Sequence, residues 1–201
     1  MKRILLLFIY LFTFSPFHLL MAQERIRDIY AAAPDSIFPL LTKNNRLDQI
    51  DFRENNMKAE VKNKFDGHSE LLVLSERYLQ LRLSDHCLVE MKLLSDSTVC
   101  MVQSYSAPAP DSRVRLFDTA WHELPQTINR PSVDDFLSED VDIDVRLALQ
   151  ALPLIKASLS ENDDTITFEL QTSELTREQR KLIEGKTRQI VQKVIAEEKR
   201  L

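Results

Sequence analysis

The chain has 201 residues and a net charge of −5. An acidic chain without a basic run repels phosphate backbones and anionic lipid headgroups, which argues against nucleic acid and membrane surfaces as partners. Its two glycines, Gly67 and Gly185, exclude phosphate-binding loops, dinucleotide-binding turns and the nucleophile elbow, because each of these needs at least two closely spaced glycines.

Residues 1–22 are predicted to form a signal peptide. Lys2 and Arg3 precede an apolar stretch over residues 4–20, and Ala22 has the small side chain that signal peptidase accepts before the cut. Pro16 interrupts the stretch, which is shorter than the roughly 20 clean apolar residues that span a bilayer. We therefore expect cleavage after Ala22 and export of the remainder.

Residues 23–201 are predicted to form a single α+β domain, because their number suits one hydrophobic core. No cysteine lies near the cut, so a lipid-modified N-terminus is not expected. The mature domain should not insert stably into the membrane. The removed segment contains basic residues and no acid, so cleavage leaves the domain still more acidic.

Helices are predicted at the start of this domain. Ile26, Ile29 and Tyr30 have helical spacing, and Asp35 or Ser36 can cap a second helix. The predicted buried face of this second helix consists of Leu40, Leu41, Leu47, Ile50 and Phe52.

The middle of the chain alternates apolar and polar residues, which predicts a meander of about five half-buried antiparallel strands. These strands cover residues 70–74, 78–83, 88–93, 101–105 and 113–117. The proline-rich residues 107–110 are predicted to form a stiff loop at the sheet edge.

The C-terminal part is predicted to contain a helical turn at 132–136, a helix over 143–151 and a second hairpin from 154–160 and 165–170. Thr176 and Gln179 have capping-box spacing and predict a final helix. Its apolar stripe would contain Ile183, Ile190, Val194 and Ile195. The predicted fold class is α+β, mainly an antiparallel β-sheet (a meander plus a second hairpin), with helices at the N- and C-termini packed on one face.

Cys87 and Cys100 are a candidate disulfide pair, because export exposes thiols to an oxidising compartment. If Ser95-Asp96 forms the turn, Cys100 lies opposite Met91, four residues from Cys87. At about 3.3 Å per residue this is too far for a bridge in regular register. A disulfide would require a bulge or a different register.

No catalytic, cofactor-binding or metal-binding residue is predicted. The three mature histidines, His68, His86 and His122, lack the spacing of a zinc site. Acids alternate over residues 140–144 as in a calcium loop, but Val145 replaces the required glycine. We interpret these acids as a solvated group that favours the N-terminus of the following helix.

Pro34-Asp35-Ser36 and the segments 40–48 and 50–52 resemble a family of exported proteins from Bacteroides-type bacteria, catalogued as domain of unknown function 3256. The resemblance covers the whole mature chain and is sharpest over residues 34–52. It implies the periplasm or the cell surface of a Gram-negative bacterium. It brings no catalytic residues.

Four triplets look like the Asp-Ser/Thr-apolar acceptor for O-glycans on exported proteins of those bacteria. The candidate acceptors are Ser36, Ser97, Thr119 and Thr165. Asp-Ser and Asp-Thr pairs also favour turns and caps, which explains the same triplets without modification. Both interpretations remain open.

The favoured function is a non-enzymatic binding module of the cell envelope, which presents a sheet face or edge to an envelope protein or glycan. A hydrolase built from dispersed carboxylates and histidines, such as His68 or His122, is an alternative. A structural protein that assembles through the C-terminal helix is another. The sequence leaves the ligand and the oligomeric state open.

Overall fold

The computed structural model describes residues 25–125 and 128–194. The predicted signal peptide, residues 1–22, lies outside the described residues, as does Ile195. In chain order the helices are α1 (Ile26–Ala32), α2 (Lys43–Glu54), α3 (Val133–Phe136), α4 (Ile143–Ala151) and α5 (Arg177–Leu182). The strands are β1 (Glu60–Lys62), β2 (His68–Leu74), β3 (Tyr78–Ser84), β4 (Cys87–Ser95), β5 (Thr98–Ser106), β6 (Pro110–Asp118), β7 (Glu123–Leu124), β8 (Ile155–Leu159), β9 (Thr165–Leu170) and β10 (Ile190–Lys193).

The first seven strands form an antiparallel meander in the order β1 to β7. Its five long strands, β2 to β6, correspond to the five predicted ones, and the short strands β1 and β7 add an edge on each side. Helix α1 packs on β3 and β4, and α2 packs on β1 and β2. The predicted α+β class and its antiparallel meander are therefore confirmed.

A core cluster fills the space between these helices and the meander. Trp121 lies at its centre: its ring meets the rings of Phe38 and Phe117 at centroid distances of 5.9 and 5.3 Å. The Trp121 indole N–H donates to the Ile29 carbonyl oxygen at 3.0 Å. This bond fixes α1 to the far end of the meander, since aromatic residues are favoured in cores when their polar atom finds a partner.

The opposite face of the meander is covered by a second antiparallel sheet, in the order β10-β9-β8. The predicted hairpin β8–β9 is confirmed, and Ile166 and Phe168 of β9 are fully buried against the meander. The meander strands are therefore buried on both faces at their centre. Glu90 and Lys92, predicted on the solvent side of a half-buried strand, are each only 4% exposed.

The helices α3, α4 and α5 surround a smaller apolar cluster that includes Val133, Val145 and Ile183. Asp142 accepts the backbone N–H groups of the first turn of α4, and Thr176 accepts that of Gln179 at the start of α5. The predicted helical turn, the helix over 143–151 and the capping box are confirmed.

The predicted start of the second helix is wrong. Residues 35–40 form turns, and α2 begins after Thr42, whose side chain accepts the Asn45 backbone N–H at 3.1 Å. The Asn45 side-chain oxygen in turn accepts the Thr42 backbone N–H, which completes a capping box. This capping box was not predicted from the sequence. Leu41 and Ile50 are buried as predicted, whereas Leu47 is exposed.

The predicted C-terminal helix is wrong beyond Leu182. Gly185 adopts a positive φ of 73°, a left-handed conformation that terminates helices. Ile190–Lys193 then forms β10, paired with β9. Ile183 and Val194 are buried in different clusters, so they do not form a free stripe, and the hypothesis of assembly through that helix loses its basis.

The two cysteines lie on opposite faces of the meander. A register irregularity between Leu93 and Ser95 places Met91 opposite Met101 and Cys100 opposite Lys92. Because a shift of one residue moves a side chain to the other face, Cys87 packs in the cluster under the helices and Cys100 in the cluster between the sheets. Both are free thiols, and the candidate disulfide is not formed.

Candidate binding face

A polar face lies on the helix side of the meander, next to the area on which α1 and α2 pack. It is built from five side chains of adjacent strands: Cys87 of β4, Gln103 and Tyr105 of β5, and Arg113 and Arg115 of β6. Cys87 lies opposite Tyr105, and Gln103 lies opposite Arg113. We call this set the Arg113–Arg115 face.

The floor of the Arg113–Arg115 face is held by Gln103, which is 9% exposed. Its amide nitrogen donates to the Cys87 sulfur at 3.7 Å, and its amide oxygen accepts from Arg115 at 3.5 Å. The Arg115 guanidinium also lies 5.0 Å from the centroid of the Phe117 ring, a cation–π contact. Gln103 and Phe117 thus position Arg115 without forming a salt bridge to it.

The outer part of the face is open to solvent. Arg113 is exposed, and the Tyr105 side chain is 51% exposed. Within residues 25–125 and 128–194, neither Arg113 nor Arg115 forms a salt bridge. Two guanidinium groups therefore stand together without an ion-paired carboxylate, in a chain that is acidic as a whole.

The charges of neighbouring groups shift the pKa values on this face. Burial lowers the pKa of Arg115, and the neighbouring positive charge of Arg113 lowers it further, whereas the carboxylate of Glu123 on β7 opposes both effects without forming a salt bridge. Burial raises the pKa of Tyr105, while the charges of Arg115 and Arg113 oppose that rise. An anion between the two arginines would relieve their repulsion.

Cys87 contributes no nucleophile to this face. Burial raises the pKa of its thiol, although hydrogen bonds from Gln103 and Tyr105 partly oppose the effect. A thiol with a raised pKa stays protonated at neutral pH and reacts slowly.

Among the described residues, two cavities border the loop 128–131. The larger, about 520 Å³, is lined by this loop and residues 188–192 of the β10 edge. The smaller, about 220 Å³, lies between Asp111 and Phe168 and is also lined by Arg113. Arg130, which lines both, is already bound to Asp111 and to the Ser112 carbonyl oxygen. Its hydrogen-bonding groups hold the loop against β6.

The histidines of the hydrolase hypothesis lie outside these cavities. His122 contacts Asp118 at 2.9 Å, and His68 approaches Glu60 at 3.5 Å, in both cases with an exposed imidazole. The Asp118 carboxylate also accepts the His122 backbone N–H. The Asp118–His122 pair thus closes the turn after β6.

Two of the three acids of the calcium-like segment have structural partners. Asp142 caps α4, and Asp140 pairs with Lys186 at 2.9 Å. Within the part of the chain that the structure describes, no group of three or more His, Cys, Asp or Glu side chains is arranged to hold a metal ion.

The four candidate glycan acceptors occupy different environments. Ser36 and Ser97 are exposed in turns, and Thr119 is half-buried in a turn. Thr165 is half-buried at the start of β9, and its hydroxyl donates to Asp163. Ser36 and Ser97 are thus the accessible members of the set.

If these triplets carry O-glycans, protein isolated from its native host will show a ladder of masses above that of residues 23–201. Ser36→Ala combined with Ser97→Ala should remove most of the added mass, because these two hydroxyls are exposed. Thr165→Ala is the matched control and should leave the ladder unchanged. A native mass equal to that of residues 23–201 would exclude the modification.

Arg113 and Arg115 were not among the predicted site residues. The available signal was their spacing of two residues within a predicted strand, which places both on one face. The sequence did not show that this part of the sheet stays uncovered by the helices of residues 25–125 and 128–194.

The comparisons identify relatives of unknown function. A family model described as a protein of unknown function, DUF3256, matches residues 18–193. Among solved structures, a domain of an uncharacterized protein from Porphyromonas gingivalis W83 is similar, with a TM-score of 0.69 and 22% identity over 83% of this chain and 92% of that chain. This similarity supports the fold.

No curated protein matches the chain. No helix among residues 25–125 and 128–194 has the length and apolar character needed to cross a membrane. The match to the family model spans most of the sequence and agrees with the resemblance noted over residues 34–52. The chain belongs to the DUF3256 family of proteins of unknown function.

Proposed function

We propose that the protein is an exported, non-enzymatic binding module of the cell envelope, in the periplasm or at the surface of a Gram-negative bacterium. In this proposal, it holds an anionic partner on the Arg113–Arg115 face. The observation that carries the proposal is the pair of neighbouring guanidinium groups without an ion-paired acid among the described residues.

The geometry supports binding to this face for two further reasons. Arg115 is fixed in place by Gln103 and the Phe117 ring, so little side-chain entropy remains to be lost when a ligand arrives. The rest of the chain is acidic, so non-specific attraction of anions is weak, and a local pair of arginines provides selectivity.

Export is supported by the signal-peptide pattern of residues 1–22 and by the resemblance to exported relatives. In the native host, we expect the full chain in the envelope or extracellular fraction and a chain lacking residues 1–22 in the cytoplasm. Mass spectrometry of the exported form should give an N-terminus at Gln23. Retention of the full chain in the cytoplasm would contradict export.

The binding role is tested by capture from envelope extract on immobilised residues 23–201. The same experiment is run with Arg113→Gln/Arg115→Gln and, as a matched control, with Arg177→Gln, which removes an exposed charge on α5. We expect material that is captured by wild type and by the control, released by salt, and lost by the double variant. Capture that is identical for all three proteins would count against this face.

A further inference from the structure

We infer that the ligand of the Arg113–Arg115 face is an anionic saccharide, a carbohydrate that carries carboxylate or sulfate groups. This inference rests on the proposed function and specifies its partner. It combines three features of the face: paired guanidinium groups, a half-exposed tyrosine ring beside them, and the lack of a continuous free strand edge next to them.

The arginines define the charge of the ligand. Arg113 and Arg115 are two residues apart on β6, so they project from the same side of the sheet about 7 Å apart along the strand. A guanidinium presents a planar fork of donors that matches a carboxylate or sulfate oxygen pair. Successive anionic substituents along a saccharide chain can engage the two forks in turn.

Tyr105 supplies the contact for an uncharged part of the ligand. It lies opposite Asp111 on the neighbouring strand, two pairs beyond the Gln103–Arg113 pair and therefore on the same face, and half of its surface is exposed. An exposed aromatic ring offers an apolar face on which the C–H face of a sugar ring can pack, while its hydroxyl bonds to the Cys87 thiol. A simple inorganic anion would make no use of this ring.

The backbone around the face favours a saccharide over an acidic peptide. An extended peptide binds a sheet by adding a strand to a free edge. Strand β5 is paired on both sides, with β4 and β6. On the outer edge of β6, the Ser112 carbonyl oxygen accepts from Arg130 at 2.7 Å and Leu116 pairs with β7. Only the outward backbone groups of Val114 lie between these contacts, a stretch too short to pair with an added strand. The face therefore offers mainly side chains.

The test measures binding of residues 23–201 by titration calorimetry to four defined probes of similar length. These are an oligogalacturonate with carboxylates, a heparin-derived oligosaccharide with sulfates, a neutral malto-oligosaccharide and poly-glutamate. We expect binding of at least one of the two anionic saccharides, and which one binds identifies the anionic group. The neutral saccharide and the peptide should bind at least about tenfold more weakly, the ratio that corresponds to ~1.4 kcal/mol.

Variants connect that binding to the face. Arg113→Gln and Arg115→Gln should each weaken it about tenfold, as expected for loss of one charge-assisted contact. Tyr105→Ala should weaken it by a similar factor, whereas Tyr105→Phe and the Arg177→Gln control should not. Arg113 and Tyr105 are exposed at the surface, so their variants report on binding even if Arg115→Gln impairs folding.

Three outcomes would overturn the inference. Equal binding of the neutral saccharide would show that the arginines do not select the ligand. Binding of poly-glutamate alone, lost in Arg113→Gln, would replace the saccharide by an acidic peptide and leave the proposed binding function standing. If no probe binds and capture from envelope extract is also insensitive to both arginines, the inference and the proposed function fail together.

Discussion

Arg46→Ala is expected to lower the free energy of unfolding by about 3 kcal/mol or more, the scale for breaking charged hydrogen bonds in a protein interior. Arg46 lies on α2 and is 1% exposed. Its guanidinium donates to the carbonyl oxygens of Ala33 and Leu41, and it reaches the exposed carboxylate of Asp35 at 3.3 Å. One side chain therefore holds the irregular segment between α1 and α2.

The size of this effect follows from what the truncation leaves behind. The Ala33 and Leu41 carbonyl oxygens would lose donors in a region from which water is excluded, and an unpaired buried acceptor costs about 1–3 kcal/mol. The vacated volume adds a cavity term. Removal of a buried charge offsets part of the loss, which is why the expected value is not larger.

Urea denaturation of residues 23–201 measures the effect as a shift in midpoint at unchanged slope. Arg53→Ala is the control, because Arg53 lies on the same helix, is exposed, and should change stability by no more than about 0.5 kcal/mol. Arg46→Met retains most of the volume and isolates the hydrogen bonds. Equal midpoints for Arg46→Ala and Arg53→Ala would show that the guanidinium does not hold this segment.

The elements that were predicted correctly are those with a local signal. Apolar residues alternate with polar ones in strands β3 and β4, and Pro153 follows α4 closely. The capping box at Thr176 also lies within four residues of sequence. Each of these features depends on neighbours along the chain, so one sequence is enough to recognise it.

Two of the errors arose where distant residues decide the structure. The apolar spacing of Ile183, Ile190 and Val194 fits a helix, but Gly185 ends the helix and β9 recruits residues 190–193 as a strand. Similarly, the alternation in β4 predicts one solvent face, yet the second sheet covers it. Pattern alone does not show which surface the rest of the chain will occupy.

The candidate site was missed for a related reason. Arg113 and Arg115 appear in sequence as the polar positions of an ordinary strand, where a charged residue usually faces solvent. Their significance depends on the proximity of Tyr105 and Gln103 from β5 and on the absence of an ion-paired acid among the described residues. Both are properties of the sheet register and of where the helices end.

The polar groups between the two sheets support a second large effect, in which Tyr78→Phe destabilises the protein by about 1.5–3 kcal/mol at neutral pH. The Tyr78 hydroxyl donates to the Glu90 carboxylate at 2.7 Å, and the Leu159 backbone N–H also donates to it. Nearby, Ser112 Oγ accepts the Ala157 N–H at 2.8 Å. Side chains of the meander thus accept hydrogen bonds from backbone N–H groups along the edge of β8 that pairs with no strand.

The pH dependence of this effect follows from the state of Glu90. Burial raises the pKa of Glu90 above its ordinary value of 4.5, and the bond from Tyr78 opposes that rise. The folded protein therefore binds this proton more tightly than the unfolded chain does. As pH increases from about 4.5 through the folded pKa, Glu90 makes the free energy of unfolding fall, and above that pKa its contribution levels off.

Loss of the Tyr78 hydroxyl should consequently cost more at pH 7, where it solvates a carboxylate, than at pH 4, where it meets a neutral acid and a bond is worth about 1 kcal/mol. Denaturant unfolding of Tyr78→Phe, Glu90→Gln and the double variant at both pH values separates these contributions. In the Glu90→Gln background, the cost of Tyr78→Phe should no longer depend on pH. A pH-independent cost in the wild-type background would instead show that Glu90 keeps one protonation state, or stays solvated without Tyr78, across this range.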